Sequence, residues 1–64
     1  IDEAMSKLTA AHRTVLVMHE FEGLQYKEIA DRIGISIGTV MSRLFYARRR
    51  LATLLQGLRR ERSE

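Results

Sequence analysis

Between Ser36 and Arg50 the chain sets hydroxyl, aromatic and guanidinium side chains at helical intervals along one side of a segment whose other side is apolar. Wound as a helix, Gly38, Thr39, Ser42, Phe45, Tyr46 and Arg49 share an outer face opposite Val40, Leu44 and Leu51. Met41 and Arg48 take one flank of that face, Arg43 and Arg50 the other. The chemistry on offer is recognition of a nucleic-acid duplex rather than bond-making. Thr39 and Ser42 can donate or accept at base edges or phosphates, and Gly38 admits a close backbone approach. Met41 and Phe45 can meet thymine methyl groups, while Arg43, Arg48 and Arg49 are placed for phosphates on either side of a groove. Phe45 and Tyr46, adjacent on a basic helix, are costly in water unless a partner covers them or one ring folds back over the core edge.

Such a face works only if the segment is held by its other side and set at a fixed angle. Proline is absent and no stretch alternates β-branched with polar residues, so an all-α fold is expected. Residues 2–7 read as a short first helix, with Asp2 and Glu3 at its positive end. Thr9 suits the N-cap of a second helix running to about Glu22, closed by a left-handed Gly23. Gln25, with Glu28 three residues on, opens a third helix to about Ile33 as a capping box with a weak cap. Gly34 ends that helix, and Ser36 caps the fourth. This is the layout of a helix-turn-helix, expected over about residues 25–50 of a small four-helix domain with a long C-terminal recognition helix.

The apolar pattern says where the core lies. Ile37, Val40, Leu44, Ala47, Leu51, Leu54 and Leu58 recur at spacings of three and four, so the stripe outruns the turn. A core this small is not expected to cover Leu54, Leu55 and Leu58, and the helix tail is expected to project or fray. On the second helix Val15, Leu16, Val17 and Met18 are consecutive and point around most of the circumference. One face is expected to pack on Ile29, Ala30, Ile33 and Val40. A second is left over, to be met either by a protein partner or by the first helix through Met5 and Leu8.

Sixty-four residues make one domain that buries only about 60% of its unfolded surface, so its stability is expected to be marginal. The chain starts at Ile1 rather than Met, which suggests a piece of a longer protein. The net charge of +3 hides a strong asymmetry: six of the eight acids precede Arg32, and no carboxylate falls between Arg32 and Arg60, where there are seven arginines. One end is therefore expected to face a polyanion and the other something else. With no cysteine there is neither a disulfide nor a thiolate metal site. His12 and His19 are seven apart where ligation on one helix wants three or four, so they read as surface residues and no metal is expected. No nucleophile–base pair, carboxylate pair or glycine-rich phosphate loop can be assembled, so neither catalysis nor a cofactor nor a small-molecule substrate is expected. No apolar run approaches the roughly 20 residues of a membrane span, and the expected compartment is the cytoplasm. Tyr26 and Lys27, beside free N–H groups at the start of the third helix, could clamp a phosphate; Tyr26 could equally pack half-buried on Leu24.

With these residues assembled, the chain closely resembles region 4, the C-terminal promoter-binding domain of sigma-70 family factors, and among them the extracytoplasmic-function class. The carriers are Glu22-Gly23-Leu24-Gln25-Tyr26-Lys27-Glu28-Ile29-Ala30 and Gly38-Thr39-Val40-Met41-Ser42-Arg43-Leu44 with Ala47-Arg48, within a likeness spanning about Leu8 to Leu55. The resemblance implies recognition of the promoter −35 element by the fourth helix. It puts Met41, Ser42, Phe45 and Tyr46 near bases, and Tyr26, Lys27, Thr39 and Arg43 near the backbone or groove edge. It also implies that the apolar side holds the flap tip of the RNA polymerase β subunit, with Leu16, Val17 and Phe21 as the expected contacts, and that an anti-sigma factor masks the same surfaces. Departures are informative. Met41 and Tyr46 stand where basic residues are common, His19 where Arg is common, and Gln25 where Ser is usual, which implies more apolar and stacking contact with DNA. Two rivals remain open. LuxR-like response-regulator output domains share the Lys-Glu-Ile-Ala and Thr-Val pattern but end the next pair in His, where this chain has Ser42-Arg43. A module that only docks proteins would use its arginines merely for solubility.

Overall fold

A computed structural model describes the backbone of residues 2–62 and the side chains of residues 3–57. The elements are α1 (Asp2–Ser6), α2 (Ala10–Leu16), a π-helical turn (Val17–Phe21), α3 (Tyr26–Ile33) and α4 (Ile37–Arg62). Among the described residues every element is helical, and the architecture is the all-α, four-helix arrangement that the sequence predicts.

Local chemistry accounts for the helix ends. The Thr9 hydroxyl accepts the His12 N–H at 3.3 Å, and the Thr9 carbonyl accepts the Arg13 N–H at 2.9 Å. Glu28 reaches back to take the Gln25 N–H at 2.9 Å, which satisfies a donor that the start of α3 would otherwise leave open. At the far end of α3 the Ala30 carbonyl accepts from both Gly34 and Ile35, at 2.8 and 3.1 Å, while Gly34 turns left-handed at φ 81°. Ser36 then caps α4 through its hydroxyl, which takes the Thr39 N–H at 3.1 Å.

The core is drawn from all four helices: Ala4, Met5 and Leu8, then Val15 and Leu16, then Ile29 and Ala30, then Val40, Leu44 and Ala47. α4 is its common wall, since α1, α2 and α3 each pack against it. Met5 and Leu8 join Val15 and Leu16 in one core cluster, and α1 itself packs on α4. No polar or charged side chain is buried among the described residues, so nothing in this core needs an internal hydrogen-bond partner.

Two expectations change. The second helix does not stay α-helical to Glu22: from Val17 it widens into a π turn, marked by Glu22 N–H to Val17 O at 3.1 Å. The wider winding turns the chain through a smaller angle per residue. Val17 and Met18 can therefore both lie against the core beside buried Val15 and Leu16, a run that an α-helix would have spread around its circumference. The tail of α4 is also better covered than expected. Leu54 packs on the core and Leu55 is half-buried, because the α1–α2 junction lies alongside this part of α4; the Leu58 side chain falls outside the described residues. The backbone of α4 is helical to Arg62, well past residue 50.

The turn before α4 gives a direct test. A Cβ at Gly34 would meet nothing within 4 Å, so the only obstacle to a side chain there is the left-handed backbone itself. Gly34→Ala is expected to lower stability by about 1 kcal/mol, or roughly 4–8 °C in Tm for a domain this size. Urea melts monitored by circular dichroism would measure it; a change within error would mean that the turn relaxes rather than strains.

Candidate nucleic-acid interface

The rotation of α4 about its own axis is set by its buried side. Val40, Leu44 and Ala47 are each 0–1% exposed, so the helix cannot roll without opening the core. Everything on the opposite side therefore has a fixed bearing. Met41, Phe45 and Tyr46 stand 53, 58 and 55% exposed, and Gly38, Ser42 and Arg49 are exposed with them. Neither aromatic folds back over the core edge. Instead the Phe45 and Tyr46 rings meet edge to face, centroids 5.2 Å apart, and brace each other on the open surface.

The hydroxyl residues differ. Thr39 is half-buried, and its hydroxyl lies 2.9 Å from that of Ser36, inside the cap. Its position serves the start of α4 as well as any partner. Gly38 is not required by the fold, because a Cβ there would find only the Ser36 hydroxyl at 3.9 Å, an ordinary contact. Arg43 is half-buried on its flank, and Arg49 and Arg50 are exposed.

α3 meets this face at its N-terminus. Tyr26 is half-buried and packs on the core, with its ring edge-to-face on His19 at 5.0 Å. Lys27 is exposed beside it. Tyr26, Met41, Phe45, Arg48 and Arg49 together line an open depression that joins the start of α3 to the outer side of α4. Arg48 does not project freely. Its Nη2 donates to Glu20 Oε1 at 3.0 Å, across 28 residues of sequence. The Tyr26 hydroxyl first, and Glu20 second, hold the Arg48 guanidinium above its ordinary range, so it is cationic at any accessible pH.

The residues expected to meet a protein partner divide. Leu16 is 2% exposed and belongs to the core, in one cluster with Val15, Met5 and Leu8, so it offers no surface. Val17 is half-buried on the core edge, and Phe21 stands 66% exposed at the end of the π turn. The histidines are not alike either. His12 is half-buried near α1, whereas the His19 ring sets Nδ1 2.9 Å from the Leu24 carbonyl and helps close the loop into α3. Nothing in the local sequence marks His19 for that role. Among the described residues no three His, Asp or Glu side chains converge as a metal site, and no helix is long and apolar enough to cross a membrane.

The family described as "Sigma-70, region 4" matches residues 1–51. The chain is 41% identical over 61 residues to the RNA polymerase sigma-H factor of Pseudomonas aeruginosa, covering 95% of this chain and 32% of that protein. It is 43% identical over 58 residues to the ECF RNA polymerase sigma factor SigL of Mycobacterium tuberculosis, covering 91% and 33%. With the ECF RNA polymerase sigma factor SigE of Mycolicibacterium smegmatis it shares 34% over 55 residues, covering 86% and 21%. The chain thus spans about a third of the length of these two curated relatives, the sigma-H factor and SigL.

The Arg48–Glu20 pair is half-exposed on both sides, at 44% and 50%, so water screens it. Glu20→Gln is expected to change stability by less than about 1 kcal/mol in urea melts. A loss well beyond that would mean that the pair fixes the π turn against α4, a larger structural role than its exposure allows.

Proposed function

The chain belongs to the sigma-70 region 4 family, and from that footing we propose that it binds the −35 element of bacterial promoters and ties that contact to RNA polymerase. The observation that carries the reading is the split personality of α4: Val40, Leu44 and Ala47 are locked in the core while Met41, Ser42, Phe45 and Tyr46 stand in solvent on the other side. A helix held in that way can enter a major groove about 12 Å wide without rearranging the domain. Ser42 supplies a hydroxyl to base edges, and Met41 and Phe45 supply apolar contact to thymine methyl groups. Tyr46 can stack or hydrogen-bond at the groove edge. Thr39, Arg43 and Arg49, with Tyr26 and Lys27 at the start of α3, hold the backbone in register, and Gly38 leaves room for it. Arg48 joins them with the guanidinium donors that Glu20 does not use.

We place the RNA polymerase β flap tip on half-buried Val17 and exposed Phe21, at the two ends of the π turn. An anti-sigma factor that covers either surface would silence the protein. The setting is the cytoplasm, where polymerase and promoter meet.

A site drawn from a randomised duplex pool would supply the ligand for fluorescence anisotropy. Ser42→Ala combined with Phe45→Ala should lose on the order of 1–3 kcal/mol per base contact and narrow the gap between the selected site and a scrambled one. Undiminished discrimination would remove both residues from base reading. Arg49→Ala should weaken all duplexes alike and flatten the log–log salt dependence by roughly one unit. With about five phosphates engaged, the unmutated chain should show a slope near −4 to −5. A duplex interaction indifferent to salt would instead favour a module that docks only on proteins.

A further inference from the structure

A second hollow lies on the other side of Arg49. One wall is the α1–α2 junction, with Lys7, Thr9 and His12; the other is α4, with Arg49, Arg50 and Thr53, and Tyr46 forms its border with the reading face. We propose that this hollow is a second phosphate site, which grips the sugar–phosphate backbone flanking the groove that α4 enters.

Charge comes first. Lys7, Arg49 and Arg50 converge on the hollow and no carboxylate lines it. Among the described residues the only ion pair is Arg48–Glu20, which lies on the opposite side of Arg49. The two threonines already have internal duties: Thr9 caps α2, and the Thr53 hydroxyl donates to the Arg49 carbonyl at 3.1 Å. What remains for a ligand is a set of cationic donors, with guanidinium forks that match phosphate oxygens.

Position selects the source of that phosphate. Arg49 lines both this hollow and the one between Tyr26 and Phe45, so the two are neighbours across a single side chain. Arg49 and Arg50 follow Ser42 by seven and eight residues, roughly 10–12 Å along α4 at about 1.5 Å per residue. That is comparable with the ~12 Å width of the major groove, so they stand at its wall rather than its floor. A duplex with its bases at Ser42 therefore runs one backbone along this hollow, with a phosphate charge every ~3.4 Å of axis on that strand. Lys7, on the far wall, brings the α1–α2 junction into contact with DNA, a part of the chain outside the helix-turn-helix. The inference rests on the proposed DNA-binding reading.

Lys7→Gln and the Lys7→Gln/Arg50→Gln double variant test it, with Arg49→Ala alongside. Both residues are exposed, so the fold should survive, as circular dichroism melts would verify. On a duplex extending well beyond the selected site, the single and double variants should flatten the log–log salt slope by about one and two units, from roughly 0.9 per phosphate contact. The preference for selected over scrambled sequence should stay as in the unmutated chain. Trimming the flanks to remove the outer phosphates should erase the difference between variant and parent.

A double variant with an unaltered slope, while Arg49→Ala still flattens it, would overturn the second site and leave the function standing. The same unaltered slope with tight binding of inorganic phosphate or a mononucleotide to the parent, or with loss of an acidic protein partner, would assign the hollow elsewhere and equally overturn it. Failure of the parent chain to bind any duplex, alone or with core polymerase, would sink both readings.

Discussion

One helix must be inside and outside at once, and the rest of the domain follows from that. α4 lends Val40, Leu44 and Ala47 to the core and keeps Met41, Ser42, Phe45 and Tyr46 in water, on positions interleaved residue by residue. Because the two sets share one backbone, packing on the inner side fixes the aim of the outer side. α1, α2 and α3 each contribute to that grip, and none of them touches another as extensively as α2 and α3 touch α4. A cavity under Leu44 would thus cost more than stability, since a helix free to roll by one residue turns its exposed side by about 100°.

The charges reinforce this arrangement at long range. Carboxylates are confined to the early helices and the very end of the chain, and the positive stretch from Arg32 to Arg60 lies mostly on α4. The field of such a distribution orients the domain toward a polyanion before contact is made. Glu20 is the exception that bridges the two regions, holding Arg48 beside Tyr26 at the mouth of the face. A tethered guanidinium loses less rotamer freedom when it meets a second anion than a free one would. Glu20 also subtracts a negative charge's worth of attraction at that point, so it exchanges some affinity for placement.

What the sequence could and could not disclose has a physical basis. Thr9, Ser36, Gly23 and Gly34 announce helix ends because caps involve groups within four residues of each other. The outward bearing of Met41, Ser42 and Phe45 follows from the same short-range periodicity. Arg48–Glu20 and His19–Leu24 escape such reasoning for different reasons. The first pair closes over 28 residues and depends on the angle between helices. The second depends on the π turn, whose extra residue no local pattern signals. Leu16, expected on an outer surface, is instead buried in the cluster that Met5 and Leu8 join, a contact across the fold that four consecutive apolar residues on one helix cannot announce. Lys7 and Arg50 carried no motif, and only the fold brings their walls together.

The composition of the reading face has its own consequence. Three of its exposed side chains, Met41, Phe45 and Tyr46, carry no charge. Tyr46 and Phe45 brace each other before any ligand arrives, and an aromatic has few rotamers to lose, so little ordering cost remains at binding. If α4 enters a groove as proposed, these uncharged side chains would meet its floor and phosphate attraction would fall to the walls, at Arg43, Arg48, Arg49 and the Lys7–Arg50 hollow. Apolar contact with thymine methyls and ring stacking at the floor would respond weakly to salt, whereas phosphate contacts at the walls would respond strongly. In such a division the floor governs which sequence is chosen and the walls govern how tightly any sequence is held. Raising ionic strength should then weaken the hold on selected and scrambled duplexes by a similar factor and leave their ratio nearly unchanged, because it removes only the part of the attraction that is blind to sequence.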